Sequence, residues 1–214
     1  MKNAEFIKRN YPAEFRAESE NGLIVGVPIV FDTPTDIGGM FQETIVKGAI
    51  TKEVLREVDF YFNHDLNAKR IASTIIPIEK LGGMQLNITE NGVEMRVNPN
   101  RKRTDVNDLY LSIEDGTTSG MSFMFGVAEE RWEDENTDYP KRYITKIEPV
   151  VEVSAVNYPA YKSTSINVSR GDSSTESDKV ALEKMRAEKR ASAEKLAKEK
   201  REFELLTINA KYLF

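Results

Sequence analysis

The pattern of hydrophobic positions predicts a β-rich domain over most of the chain. β-Branched and aromatic residues cluster in short runs that are separated by glycine, asparagine and proline, which is typical of strands joined by tight turns. The predicted strands are residues 22–31, 59–63, 72–78, 84–89, 93–97, 121–127 and 142–156. The sequence Glu90-Asn91-Gly92 separates two of them and predicts a hairpin. Many strands at short spacing with few helices predict a closed sheet or β-barrel.

Two helices are predicted between the strands, over residues 48–58 and 104–115, the second with Thr104 as its N-cap. A third, charged helix is predicted in the C-terminal part, because Lys, Glu, Arg, Ala and Leu dominate from about residue 179 to 204. Between the β-rich part and this helix lies a polar run, residues 171–178, in which Thr175 and Asp178 form a possible capping box.

These changes in composition predict a globular domain over residues 1–168, a polar linker over 169–178 and a helical tail over 179–214. About half of the heptad positions of the tail are apolar, which is too few for a strong autonomous coiled coil. Two interpretations of the tail stay open. It is either a solvated helix that carries i,i+4 charge pairs, or a docking or encapsidation helix that orders on a partner.

Composition limits the classes of protein that fit. A chain of 214 residues holds one domain with a hydrophobic core and an appendage. Its net charge of -5 gives no argument for nucleic acid or an anionic membrane as a partner, and we expect neither. The lack of cysteine excludes a disulfide scaffold, a thiolate zinc site and a cysteine nucleophile. The first residues lack the apolar segment of a signal peptide, and no apolar run approaches the ~20 residues that span a bilayer. We therefore expect a soluble, cytoplasmic protein.

His64 is the single histidine of the chain, so any histidine-dependent chemistry must use it. A lone histidine at such a position, just after an apolar run, is more often a surface or structural residue than a catalytic one. One histidine, no cysteine, no EF-hand loop and no HExxH motif give metal catalysis little support. The glycine motifs that bind phosphates are also missing. We therefore expect neither a metal nor a cofactor.

Two further residues could take part in chemistry. Ser122 is a small polar residue in an apolar and aromatic strand, just after Gly120, and it shares a face with Met124. The alternative is a serine whose hydroxyl bonds to the backbone at a strand end. Glu152 is a carboxylate within an apolar, β-branched strand, where burial is costly unless the charge is paired. Its alternative is an outward-facing position on a half-exposed strand.

These segments, in this order, resemble the tailed-phage prohead maturation proteases, serine peptidases whose fold is distantly similar to that of the herpesvirus assemblins. The resemblance covers about residues 10–168. Its most specific part is EVSAVNYPA at residues 152–160, and the other matching elements are GAI at 48–50, NHD at 63–65 and GMSFMF at 120–125. The chain departs from the family pattern where Ile50 replaces the usual Phe, and where the glycine that is common soon after the serine comes later.

The resemblance implies an assemblin-like closed β-barrel with Ser122 as nucleophile, His64 as general base and Glu152 as the carboxylate that orients and charge-stabilises His64. It implies an oxyanion hole, most simply from backbone N–H groups. The implied substrate is the major capsid protein or its scaffolding part, cut inside the assembling prohead in the host cytoplasm. Self-association and self-cleavage are also expected, and we place the latter within residues 169–178 because exposed segments are the usual sites of nicking.

Three other interpretations are compatible with the sequence. The first is an enzymatically silent capsid-assembly or scaffolding protein, which the composition of the tail suggests. The second is a fused protease and scaffold whose tail delivers the enzyme into the shell, and this one is compatible with the protease interpretation. The third is a hydrolase that acts on an ester or a lipid.

Overall fold

The computed structural model describes residues 6–11, 15–18, 20–157 and 173–211 of the chain. They belong to two compact units, Met1–Thr175 and Glu176–Phe214. The first unit is mainly β, as the sequence predicts, and the second is helical. The strands are β1 (Phe6–Tyr11), β2 (Phe15–Glu18), β3 (Leu23–Val30), β4 (Thr35–Ile37), β5 (Phe41–Ile45), β6 (Asp59–Phe62), β7 (Ala72–Ser73), β8 (Gly83–Ile88), β9 (Gly92–Asn98), β10 (Gly120–Glu133) and β11 (Lys141–Val156). The helices are α1 (Thr104–Glu114) and α2 (Ser173–Lys211).

All eleven strands belong to one sheet, in the order β1-β10-β11-β6-β7-β8-β9-β3-β2, with β4 and β5 joined to it at β11. The sheet curls into a half-barrel, so the prediction of a closed barrel is wrong. Within the described residues the two end strands, β1 and β2, do not pair with each other. They are six and four residues long, and such short edge strands offer few hydrogen bonds with which to close the gap.

β10 and β11 form the long antiparallel hairpin that organises the sheet. β11 also pairs in parallel with β5 near its beginning and with β6 near its end. The first seven residues of β10, Gly120 to Gly126, are all buried, which means that both faces of this segment are covered. A strand that is buried on both faces has a continuous run of apolar residues rather than an alternation of apolar and polar ones. Burial on both faces therefore explains why the residues around Ser122 are almost all apolar.

One predicted helix is wrong. Residues 48–58 contain only a 3₁₀ turn, Glu53–Leu55. A longer helix does not form because the residues before this turn adopt a tight turn and hydrogen-bond to the sheet. Gly48 has φ +93°, a value that side-chain-bearing residues rarely adopt, and the carbonyl of Ala49 accepts a hydrogen bond from the N–H of Ile147 in β11.

Helix α1 confirms the prediction for residues 104–115, but its N-cap is Arg103 and Thr104 is its first helical residue. Helix α2 begins at Ser173, earlier than predicted, so Thr175 and Asp178 lie inside the helix and do not form a cap before it. Residues 169–172 of the predicted linker lie outside the described residues. No helix in the described part of the chain is both long and apolar enough to cross a membrane.

The sequence did not predict β1, β2, β4 or β5, and β7 is much shorter than the run predicted at 72–78. β1 was missed because its sequence, FIKRNY, contains charged residues. Its Arg9 side chain is nevertheless buried, at 1% exposure. A buried guanidinium requires a partner, and the partner is in β5.

A buried ion network ties β1 to the sheet. Arg9 makes a bidentate contact with the carboxylate of Glu43, with Nε–Oε1 and Nη2–Oε2 distances of 2.6 and 2.9 Å. Arg142 of β11 donates to the same carboxylate at 3.1 Å and to Glu130 through Nε at 2.7 Å. Burial alone would raise the pKa of Glu43, but the charges and hydrogen bonds of the two arginines outweigh it and hold the pKa below its usual value.

This network predicts a specific pH dependence of stability. Because the pKa of Glu43 is lowered on folding, its contribution is fully present above the unfolded value near 4.5 and is lost as the pH falls through the lower folded value. At pH 7, Glu43→Gln is expected to cost about 3–5 kcal/mol of unfolding free energy, since it removes the carboxylate charge that faces the buried Arg9 and Arg142 guanidinium groups. Urea unfolding at a series of pH values measures the difference between the wild type and the variant.

The difference in unfolding free energy between the wild type and Glu43→Gln is expected to become smaller as the pH falls from 5 to 3. Exposed Glu114→Gln is a suitable control, because this side chain is on the solvent side of α1. A gap between wild type and Glu43→Gln that stays constant over this range would show that the charge of Glu43 does not stabilise the fold.

Candidate active site

The structure brings the three candidate residues to one region of the sheet, at β10, β11 and the turn after β6. Ser122 of β10 lies directly opposite Ser154 of β11, and Met124 lies opposite Glu152. Residues directly opposite each other in an antiparallel pair point to the same face, as do residues two apart in one strand. Ser122, Ser154 and Glu152 therefore share one face of the sheet.

Glu152 and His64 form a direct pair. Nδ1 of His64 lies 2.6 Å from Oε1 of Glu152, and the two side chains are 11% and 0% exposed. Because an ionised carboxylate only accepts hydrogen bonds, this contact places the imidazole proton on Nδ1 and leaves the lone pair of Nε2 available. The arrangement is the one by which a carboxylate fixes the tautomer and orientation of a general base.

His64 is carried by a turn in an uncommon conformation. β6 ends at Phe62, and both Asn63 and His64 have positive φ, at 51° and 58°. Only a few per cent of non-glycine residues adopt this region. The turn is held by hydrogen bonds from Asn63 N–H to the Ala155 carbonyl, at 2.8 Å, and from His64 N–H to Ser154 Oγ, at 3.2 Å. The end of β11 thus determines where the imidazole lies.

Ser154 is a residue that the sequence reasoning did not single out. Its hydroxyl accepts from the backbone of His64 and donates to Oε2 of Glu152 at 2.5 Å, and its side chain is fully buried. It is part of the EVS sequence, where its spacing of two from Glu152 in a strand could have indicated a shared face. No pattern in the sequence indicates that Ser154 contacts the turn after β6.

Ser122 is fully buried, and its hydroxyl donates to the backbone carbonyl of Arg9 in β1 at 3.1 Å. The carbonyl is accessible to Ser122 because Asn10 lies directly opposite it in the register of β1 and β10. This is the backbone hydrogen bond that the alternative interpretation of Ser122 describes. Action as a nucleophile therefore requires the hydroxyl to turn away from β1.

A surface groove of about 520 Å³ adjoins the His64 turn. Asn63 and Asp65, the two neighbours of His64, line one side of it, and helix α1 lines another. Its other lining residues are Phe62, Ala68, Lys69, Ile71, Asp105, Asp108, Leu109, Ser112, Thr117, Thr118 and Asn157. The volume lies in the range typical of ligand-binding clefts, and the lining combines apolar side chains such as Ile71 and Leu109 with charged and polar ones.

Metal binding has no support in the described part of the chain, where no group of three or more histidine, aspartate or glutamate side chains is arranged to hold an ion. The contact between Glu152 and His64, with Ser122 on the same face of the sheet, has the residue types that a serine hydrolase uses. Glu152 is fully buried, so the alternative interpretation of it as an outward-facing residue of a half-exposed strand is wrong.

The comparison with protein families agrees with this class. The sequence profile of the caudovirus prohead serine proteases matches residues 11–179 of the chain. The match covers well over half of the chain, and the protein belongs to this family. No curated protein and no solved structure matches the chain significantly.

Proposed function

We propose that this protein is a capsid-maturation endopeptidase in which Ser122, His64 and Glu152 act together as a catalytic triad. Membership of the prohead serine protease family supports the reaction class. The observation that carries the assignment of residues is the 2.6 Å contact between His64 Nδ1 and Glu152 Oε1, on the face of the sheet that also holds Ser122. The distant relation to the assemblins is part of this proposal.

The first chemical step follows from these positions. Oγ of Ser122 attacks the carbonyl carbon of the scissile peptide bond, and its proton passes to Nε2 of His64. The imidazolium that forms is stabilised by the ionised carboxylate of Glu152 on its other nitrogen. His64 then gives the proton to the leaving amine as the C–N bond breaks, which leaves an acyl ester on Ser122.

The second step consumes water. His64 takes a proton from a water molecule, the resulting hydroxide attacks the ester, and the returned proton regenerates the Ser122 hydroxyl as the new carboxyl end leaves. Before either step, the hydroxyl must exchange its hydrogen bond to the Arg9 carbonyl for one to Nε2 of His64. This exchange needs a rotation about the Cα–Cβ bond of Ser122, which has three staggered positions.

The groove beside the His64 turn is the proposed place of the substrate chain next to the scissile bond. The two neighbours of His64 in the chain, Asn63 and Asp65, line it, and its apolar lining residues offer burial to a substrate side chain. We further propose that the substrate is the scaffolding part of the capsid protein and that the enzyme cuts it within the assembling prohead. Self-cleavage within residues 169–178 belongs to the same proposal.

The test is cleavage of the capsid precursor of the same phage. Wild-type protein and Ser122→Ala are each incubated with the purified precursor and analysed by intact mass, together with samples of each protease alone. We expect defined fragments of the precursor, and a truncation of the protease within residues 169–178, with the wild type only.

Precursor fragments with both proteins would show that Ser122 is not the nucleophile. An intact precursor with both, in assembled proheads as well as in solution, would contradict the protease function and favour a structural role. A wild-type protease that cuts the precursor but keeps its own full mass would contradict only the self-cleavage.

A further inference from the structure

Ser154 connects the two residues that are proposed to activate the nucleophile. Its fully buried hydroxyl lies between the carboxylate of Glu152 and the backbone N–H of His64. We propose that Ser154 is a positioning residue that sets the orientation of the Glu152 carboxylate and of the His64 imidazole relative to each other. This inference rests on the proposed function and deepens it, because it adds a fourth residue to the site.

The first part of the argument concerns the carboxylate. Glu152 uses one oxygen for each neighbour, with Oε1 on His64 Nδ1 and Oε2 on Ser154 Oγ. Two donors on different oxygens fix the rotation of the carboxylate plane about its last bond, which is otherwise broad and weakly determined. The hydroxyl also compensates the second oxygen for the loss of water, since this side chain is fully buried.

The second part concerns the histidine. The positive φ of His64, 58°, is costly for a residue with a side chain and persists only where other contacts hold it. Ser154 Oγ accepts the N–H of this residue at 3.2 Å. One hydroxyl thus holds the backbone from which the imidazole projects and the carboxylate that the imidazole contacts.

The third part concerns Ser154 as an alternative nucleophile, a role against which its hydrogen bonds argue. It lies directly opposite Ser122, so the site contains two buried serines on neighbouring strands. The proton of Ser154 points to Oε2 of Glu152 and its lone pair to a backbone N–H, whereas Nδ1 of His64 contacts the other carboxylate oxygen, Oε1. Ser122 has neither contact and donates to a backbone carbonyl instead.

Ser73 is a matched control for this proposal. It is also a buried sheet serine, at 1% exposure, and its hydroxyl donates to the carbonyl of Val58 at 3.4 Å. A change of serine to alanine at either position removes one buried hydroxyl from the same sheet. Only Ser154 touches the proposed catalytic residues.

The experiment compares Ser154→Ala, Ser154→Cys and Ser73→Ala in the full-length protein. On a peptide that spans a cleavage site of the capsid precursor, we expect Ser154→Ala to lower kcat about 10- to 100-fold with little change in KM, as for the loss of one hydrogen bond to a charged group. Ser154→Cys keeps the size but has a weak donor, so its kcat is expected to fall as well. Ser73→Ala is expected to keep the wild-type kcat.

A second measurement does not depend on activity. The chain has one histidine, so isotope labelling of histidine nitrogens gives the NMR signals of His64 alone. In the wild type and in Ser73→Ala, we expect a downfield proton bound to Nδ1, because a carboxylate accepts it. In Ser154→Ala this signal is expected to move upfield or broaden, and Ser154→Cys provides the same comparison if the alanine variant does not fold.

An unchanged kcat, or an unchanged Nδ1 proton signal in the Ser154 variants, would overturn the positioning role. So would a loss of kcat that Ser73→Ala reproduces, because it would mark a general effect of removing a buried hydroxyl. The NMR arm separates this inference from the proposed function: a signal that responds to Ser154 in a protein that cleaves nothing upholds the positioning and refutes the protease assignment.

Discussion

Ser122→Ala is expected to lower kcat about a million-fold on a peptide substrate, with KM almost unchanged. The alanine lacks the oxygen that forms the acyl ester, and no other group of the site replaces it. The fold is expected to persist, since among the described residues the hydroxyl makes one hydrogen bond, to the Arg9 carbonyl, and the methyl group fits the same space. Steady-state kinetics and thermal unfolding of the purified variant measure the two effects separately.

Ser73→Ala is again the control, because that serine also donates to a backbone carbonyl and is almost fully buried. The control is expected to lose a similar, small amount of stability and no activity. A Ser122→Ala protein that is folded and still cleaves at more than about one per cent of the wild-type rate would rule out Ser122 as the nucleophile.

Substitution of the proposed base, His64, and of its carboxylate partner, Glu152, is expected to lower kcat by different factors. His64→Ala is expected to lower kcat about a million-fold, as for the nucleophile itself. Glu152→Gln keeps the shape of the side chain but replaces the charge that stabilises the imidazolium, and a loss of about ten thousand-fold is expected. Single-turnover kinetics of both variants on the same peptide give the ratio.

The double variant Ser122→Ala with Glu152→Gln is the informative control, because residues that act as one unit are strongly non-additive. Its activity is expected to equal that of Ser122→Ala. If instead the losses add, or if Glu152→Gln alone has wild-type kcat, the contact between Glu152 and His64 is structural and the triad is incorrect.

Much of the fold could be predicted because the hydrophobic pattern reflects burial directly. The runs that became β3, β6, β10 and β11 are rich in β-branched and aromatic residues, and the buried residues of helix α1 recur at helical spacing. The missed strand β1 shows the limit. Its buried Arg9 is neutralised by Glu43, which is 34 positions away in sequence, and no local pattern contains that information.

The site residues, too, were partly predictable from the sequence, whereas the contacts between them were not. His64 could be chosen because it is the single histidine, and Glu152 because a carboxylate in an apolar strand is costly unless paired. Their contact links residues 88 positions apart and depends on the parallel pairing of β6 with β11, which the sequence pattern does not specify. Ser154 was missed for a related reason, since its acceptor role toward the His64 backbone arises only from the turn after β6.

The central claim, that Ser122 is a nucleophile activated by His64 and Glu152, is tested most directly by covalent labelling. The wild type, Ser122→Ala and His64→Ala are treated with a fluorophosphonate, which reacts with activated serines, and the modified residue is identified by peptide mass mapping. The account predicts one adduct on Ser122 of the wild type, none on Ser122→Ala and a greatly slowed reaction of His64→Ala. An adduct on Ser154 or on any other residue, or equal labelling of the wild type and His64→Ala, would contradict it.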